Sequence, residues 1–258
     1  MMGFQRLFLS QSSLMTRAGG GSLATATAHL LGRRTFARSA VVDVPPECEA
    51  PERPVTLILA EDAGVYKNSW HPTMEQALPQ QNGIPYSNFH LSATAQTFDD
   101  ALREMKKDVG SVMDAVLVTR GPFASWMAQF YLEDLPLKGL VMVDPMQLDD
   151  QNGVNQFQLH YEKLGLTSSQ QYKLYQDYSE HWDHWTLQLE PGAVPMMILY
   201  TTDRPAFKRC AENTALRHRV GDDEDEDSLP IVKLPATKSN HEKEVIKTIV
   251  SWVTQRVL

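Results

Sequence analysis

Four short runs of apolar and β-branched residues do most to limit how this chain can fold: VTLILA at 55–60, AVLVT at 115–119, GLVMVDP at 139–145 and MMILY at 196–200. Such runs are typical of strands that are buried on both faces of a parallel sheet. Segments with helical spacing separate them, as at Thr97–Val109, where Thr97 is a predicted N-cap. This alternation predicts an α/β fold with a mostly parallel central sheet flanked by helices.

Weaker patterns complete the predicted fold. Further strands are expected at 86–91 and 229–234, and helices at 73–81, 122–134, 205–217 and beyond a capping box at Ser239–Glu242. Between residues 147 and 190 there is no strand signal, and aromatic residues recur at near-helical intervals, which predicts a cap of two or three helices. We interpret this aromatic stripe as core; the alternative is a pocket for an acyl or aromatic ligand.

Residues 1–42 differ from the rest of the chain in charge. They contain five arginines, nine hydroxyl residues, no lysine and no acid. This composition is typical of a mitochondrial transit peptide, and RRTFARSA at 33–40 resembles a mitochondrial processing site, which predicts a mature start near Ala40. A basic tail that is never removed is the alternative. Residues 43–54 are predicted to form a proline-rich linker.

The remaining stretch, 55–258, has the length of one α/β domain. Without the five leader arginines the formal net charge goes from −8 to −13, which argues against direct nucleic-acid binding. No run reaches the roughly 18 apolar residues that a membrane-spanning helix needs. Cys48 and Cys210 lack metal-binding spacing and are expected to be reduced thiols.

The segment Val116–Pro145 resembles the central unit of the α/β-hydrolase family: a strand, a sharp turn that carries the nucleophile, a helix, a second strand and then an acid. The following parts resemble the family in their order, with a cap, a strand that leads to Asp203, and His241 before the last helix. The resemblance implies an α/β-hydrolase-like domain over residues 55–258, with a helical cap insertion at about 147–190.

The turn departs from the pattern of the active members. They carry G-x-S-x-G, whereas the matching residues here place Gly121 at the nucleophile position, and glycine has no atom that can attack a carbonyl. Pro122 follows, and it lacks the backbone N–H that the family uses in its oxyanion hole. Glu61 and Asp62 stand in the loop that supplies the second donor, where carboxylates would oppose an anion.

Asp203 and His241 occupy the family's acid and histidine positions, and with Gly121 we interpret them as vestigial. The sequence therefore predicts no catalytic residue, cofactor or metal, and a non-catalytic accessory or structural subunit of a mitochondrial assembly. Its partners would be mitochondrial proteins of a respiratory, ATP synthase or ribosomal assembly, in the matrix or on the matrix side of the inner membrane. One alternative is a serine hydrolase or thioesterase with a displaced nucleophile, for which Ser125 is the nearest hydroxyl; another is a small-ligand binding module.

Two further features each have two interpretations. His181 and His184 could face one metal ion, but no spacing recommends His160 as a third ligand. An aromatic cap helix with polar edges is favoured, because two histidines are too few for zinc. The six acids at 222–227 predict a solvated loop or, alternatively, a docking site for a basic partner.

Overall fold

The computed structural model describes residues 38–147, 151–180, 187–201, 205–218, 231–234 and 241–258, apart from the side chains of Lys233, Leu234 and His241. The strands are β1 (Thr56–Glu61), β2 (Tyr86–Phe89), β3 (Ala115–Arg120), β4 (Gly139–Val143), β5 (Met196–Thr201) and β6 (Ile231–Leu234). The helices are α1 (His71–Asn82), α2 (Phe98–Val109), α3 (Pro122–Asp134), α4 (Gln151–Lys163), α5 (Gln170–Glu180), α6 (Pro205–His218) and α7 (His241–Trp252), after which Val253–Val257 form a π-helical turn.

The six strands form one sheet in the order β2-β1-β3-β4-β5-β6, and every neighbouring pair is parallel. The register places Glu61 at the end of β1 opposite Arg120 at the end of β3. Because all strands point the same way, their carboxyl ends meet at a single edge of the sheet. The predicted parallel sheet flanked by helices is confirmed.

Alternate residues of the strands face two separate hydrophobic clusters. On one face, Leu57 and Leu59 of β1 pack in a cluster with residues of α1 and α7. On the other face, Ile58 and Ala60 join a larger cluster with residues of α2 to α6. Both faces of the sheet are thus covered, as the continuous apolar strands require. At α2 the predicted cap is confirmed, since Thr97 Oγ1 accepts a hydrogen bond from the N–H of Asp100 at 3.1 Å.

Helices α4 and α5 lie in the region where the sequence predicted a cap. Their aromatic rings are buried against α2 and α3: the Trp126 ring centroid is 4.2 Å from that of Tyr178 and 4.3 Å from that of Phe98. Phe157 stacks on Tyr161 in the same cluster, with ring centroids 4.3 Å apart. The described part of the aromatic stripe is therefore core, as the sequence indicated, while Trp182 and Trp185 lie outside the described residues.

The chain enters the domain along the free side of β2. Arg38 and Val42 form antiparallel bridges with Phe89 and Tyr86, so the first described residues extend the sheet at that edge. Neither Cys48 nor Cys210 takes part in a disulfide. Within the described residues, every helix is too short or too polar to cross a bilayer.

Candidate functional site

The carboxyl ends of the strands bring polar residues together at one edge of the sheet. Glu61 and Asp62 end β1 and begin its loop, Gly121 follows β3, Asp144 follows β4, and Thr201 ends β5. In parallel α/β sheets this edge is where ligands bind and chemistry takes place. Gly121, which was matched to the nucleophile turn of the hydrolases, therefore lies at the edge of the sheet where a hydrolase site would be expected.

Gly121 forms the sharp turn between β3 and α3. Its φ of 117° lies in the left-handed region that favours glycine, and its N–H donates to the carbonyl of Val143 at 2.9 Å. Pro122 begins α3, a position that needs no N–H donor. A Cβ at residue 121 would lie 2.6 Å from Cγ of Asp62, well inside van der Waals contact. The Asp62 side chain therefore occupies the space next to Gly121.

Asp62 binds the N-terminus of α3. Its two carboxyl oxygens accept the N–H groups of Phe123 and Ala124, each at 2.8 Å, and Tyr161 donates its hydroxyl at 3.2 Å. These backbone groups have no partner within the helix, and the helix dipole favours negative charge there. Burial raises the pKa of Asp62 to about 7, and the charge of Glu61 adds to the rise, while the three hydrogen bonds oppose it.

Arg120 fixes the loop that carries Asp62. Its guanidinium lies between two rings, 4.0 Å from the ring centroid of Tyr66 and 4.1 Å from that of Trp70. Nη1 donates to Glu61 Oε1 at 2.7 Å and to the carbonyl of Asn68 at 2.8 Å. Since little of this ion pair reaches solvent, its loss would leave a charge with few water contacts. Arg120 thus joins the end of β3 to both ends of the loop after β1.

Asp144 extends this polar network toward β5. Its φ of 52° is unusual for a residue other than glycine, and its side chain is fully buried. The carboxyl group accepts the N–H of Thr201 at 2.7 Å, the Thr201 hydroxyl at 2.9 Å and the Tyr66 hydroxyl at 3.1 Å. Asp144 therefore links the end of β4 to the end of β5. It also holds the Tyr66 ring that packs against the Arg120 guanidinium.

Ser125, the hydroxyl considered as a displaced nucleophile, faces the sheet. It is fully buried, and its Oγ lies 2.9 Å from Oγ1 of Thr119. The next polar contacts are Gln129 Nε2 to the Ser125 carbonyl and Gln129 Oε1 to His218 Nε2, at 3.2 and 3.1 Å. Burial lowers the pKa of His218 to about 4, with a contribution from Arg217, so the ring is neutral near pH 7. Ser125 Oγ itself hydrogen-bonds the Thr119 hydroxyl, which cannot serve as a general base.

Several sequence-predicted residues lie outside the described residues. Asp203, His181 and His184 are among them, as is the acidic run 222–227. His241 begins α7 as predicted, but its side chain lies outside the described set, so the pairing of Asp203 with His241 stays a prediction. The described part of the chain, which includes His160, holds no cluster of three or more His, Cys, Asp or Glu side chains suited to a metal ion.

Two cavities border these elements. One, of about 20 Å³, lies beside Asp62 and has room for about one water molecule. The other, of about 310 Å³, is lined by Gln147, Asn152, Gly153, Gln156, Pro205, Ala206, Arg209, Cys210 and Asn213. Of these two cavities, the larger lies between α4 and α6 and the smaller lies beside Asp62.

Sequence reasoning located the turn but missed the side chain that occupies it. Asp62 was expected to oppose an anion, whereas it takes the place of one at the start of α3. The signal was present: Gly121 offers no side-chain cap to α3, and an acid stands in the loop that faces it. Tyr161 was expected only as part of the aromatic core, and no motif marked Arg120 or Tyr66 for this network.

The comparisons with known proteins agree with this geometry. No family model and no curated protein matches the chain in sequence. The solved structure of MenH from S. aureus matches at a TM-score of 0.52 and 13% identity, covering 85% of this chain and 98% of MenH. A carboxylesterase from the Thaumarchaeon Nitrososphaera gargenis matches at 0.52 and 9%, covering 83% and 98%. The Vlm2 thioesterase domain matches at 0.51 and 14%, covering 85% and 99%.

Identities this low show a shared fold and leave activity open. The parallel sheet flanked by helices is the feature that the chain shares with these structures. The protein therefore has the α/β-hydrolase fold.

Proposed function

We propose that this protein is a non-catalytic α/β-hydrolase-fold protein that serves as an accessory or structural subunit of a mitochondrial assembly. The observation that carries the proposal is the Asp62 carboxylate, which lies over Gly121 and accepts the N–H groups of Phe123 and Ala124. One side chain of the protein takes the space next to residue 121 and also binds the two N–H groups that follow Pro122.

The energetic consequence for acyl transfer is large. Loss of one oxyanion donor costs a working enzyme about 2.7 to 4 kcal/mol of transition-state stabilisation. Here Pro122 lacks the first donor, and the next two N–H groups already bind a buried carboxylate. Without a nucleophile at residue 121, the covalent route is absent as well. These features support a structural rather than a catalytic use of the fold.

The competing function is a serine hydrolase that uses Ser125, and the enzymes among the structural neighbours favour it. A serine-directed fluorophosphonate probe separates the two. We expect no labelling of the purified protein, because Ser125 is buried and its hydroxyl bonds Thr119. Labelling that disappears in Ser125→Ala and persists in Ser179→Ala, a matched change on α5, would overturn the non-catalytic proposal.

The mitochondrial assembly requires its own test. The arginine-rich, acid-free residues 1–42 support import, and the acidic remainder suits a basic protein surface better than bare nucleic acid. A tag after the exposed Leu258 allows detection after native electrophoresis of mitochondrial extracts. We expect migration in a large complex, and a matched chain without residues 1–37 should stay outside mitochondria. Migration only as a free monomer would contradict the subunit role.

The third function considered, small-ligand binding, has one supporting observation. The 310 Å³ cavity between α4 and α6 falls at the lower end of the size range of ligand pockets, and amide side chains line much of it. A metabolite that copurifies with the protein and raises its melting temperature would favour this function. Arg209→Ala, on the cavity wall, should then reduce the stabilisation, whereas Arg103→Ala on α2 should not.

A further inference from the structure

Residues 38–42 act as a short edge strand of the folded domain. The N–H of Val42 donates to the Tyr86 carbonyl at 2.7 Å, and the N–H of Tyr86 donates back at 3.0 Å. The N–H of Ser39 donates to the Asn88 carbonyl at 2.7 Å. These bonds cover the side of β2 that does not pair with β1, and so satisfy backbone groups that would otherwise face solvent.

Side chains at the start of this strand reach well beyond the backbone pairing. Arg38 donates from Nε to the Asp108 carbonyl at 3.0 Å and from Nη1 to the Ser87 hydroxyl at 3.1 Å. Ser39 Oγ accepts the N–H of Asn88 at 2.9 Å. Ser87 and Asn88 are almost fully buried. Removal of Arg38 and Ser39 would therefore leave buried polar groups without these partners, which is costly.

We propose that the leader is removed by a cut between Arg33 and Arg38, so that Arg38 stays in the mature protein. This inference rests on the mitochondrial import proposed above. The cut is hydrolysis of one peptide bond by one water molecule, and it leaves a carboxylate on the leader and an amine on the domain. Arg33 remains as a basic residue before the bond, whereas Arg38 acts as a structural residue of the domain.

This boundary differs from the mature start near Ala40 that the sequence suggested. A chain beginning at residue 40 would keep the bridge at Val42 but lose every contact of Arg38 and Ser39. A protease also needs an extended, accessible segment, and residues 38–42 are paired once the domain has folded. A cut before Arg38 is compatible with a folded domain, and a cut at residue 40 would break part of its edge.

Import of the full chain into isolated mitochondria, followed by mass measurement of the mature N-terminus, tests the proposal directly. A first residue between 34 and 38 is expected. A first residue of 39 or later would overturn it while leaving import intact. An intact Met1 in chains protected from external protease would overturn cleavage altogether but leave the accessory role to the native-electrophoresis test.

A second measurement asks whether Arg38 and Ser39 matter to the domain. A chain beginning at Val41 should melt on the order of 5 °C below one beginning at Arg38. By amide exchange, the Asn88 N–H should lose protection, since its acceptor is Ser39 Oγ, whereas the Ser87 and Phe89 amides, which point toward β1, should keep theirs.

Full-length Arg38→Met covers the case in which the shorter chain does not fold. It should also melt at a lower temperature than the parent chain, and Arg103→Met is the matched control on the exposed face of α2. Equal melting temperatures and unchanged Asn88 exchange in both comparisons would overturn the structural role of Arg38.

Discussion

The Asp62 side chain lies so close to Gly121 that a Cβ at residue 121 would fall 2.7 Å from the Asp62 Cβ. The same carboxyl group binds the first free N–H groups of α3 through Phe123 and Ala124. A single aspartate therefore occupies the space next to residue 121 and caps the helix that begins there.

Asp62→Ala should lower the free energy of unfolding by about 2 to 4 kcal/mol, because it leaves two buried N–H groups without an acceptor and creates a small void. Asp62→Asn should cost less than Asp62→Ala, since its amide oxygen can still accept one N–H. Urea unfolding measures both. Glu162→Gln, an exposed carboxylate on α4, is the control and should change stability by less than about 0.5 kcal/mol. A loss below 1 kcal/mol in Asp62→Ala would contradict the capping role.

The pKa of Asp62, raised from 3.8 to about 7, predicts a pH dependence of stability. Because the folded state holds this proton more tightly than the unfolded state, Asp62 contributes most at pH below about 4. Its contribution falls as the pH rises toward 7, by up to about 4 kcal/mol, and is constant above that. Unfolding from pH 4 to 8 should show a steeper loss in the wild type than in Asp62→Asn. Parallel curves would refute the raised pKa.

Arg120→Met should destabilise the protein by about 3 to 5 kcal/mol, because the Glu61 carboxylate would remain largely buried without its cation. Glu61→Gln with Arg120→Met should cost less than the sum of the single changes. A double-mutant cycle measured by chemical denaturation gives this coupling. The exposed pair of Arg103 and Asp99 is the control cycle, with an expected coupling below about 1 kcal/mol.

Gly121→Ser should fail to create an esterase and should destabilise the protein by more than about 3 kcal/mol, since the new side chain meets Asp62 and a strained φ. Adding Asp62→Gly should recover part of that loss by removing the overlap, so the two changes should be less than additive. Thermal unfolding and a p-nitrophenyl ester assay measure the outcomes. Strictly additive losses would show that Asp62 does not occupy the space above residue 121.

The elements of the fold were predictable because each depends on local sequence. Apolar runs marked β1, β3, β4 and β5, Thr97 marked the start of α2, and the Gly121–Pro122 pair marked a turn into a helix. These signals lie within a few residues of the structure that they specify.

The contacts of the site were not predictable in this way. Asp62 and Phe123 are 61 residues apart, Arg120 and Glu61 are 59 apart, and Asp62 and Tyr161 are 99 apart. Glu61 meets Arg120 only because β1 and β3 pair in the register that sets them opposite each other. A one-residue shift of either strand would place the Glu61 and Arg120 side chains on opposite faces of the sheet. The network is thus a property of the register, which no short motif encodes.

The overlap between residues 62 and 121 also bears on how easily a serine could arise at residue 121 during evolution. A serine introduced first would collide with the aspartate, and loss of the aspartate first would leave the helix without its cap. Either order passes through a less stable intermediate sequence. Single mutations are therefore selected against, and the aspartate and the glycine tend to persist together.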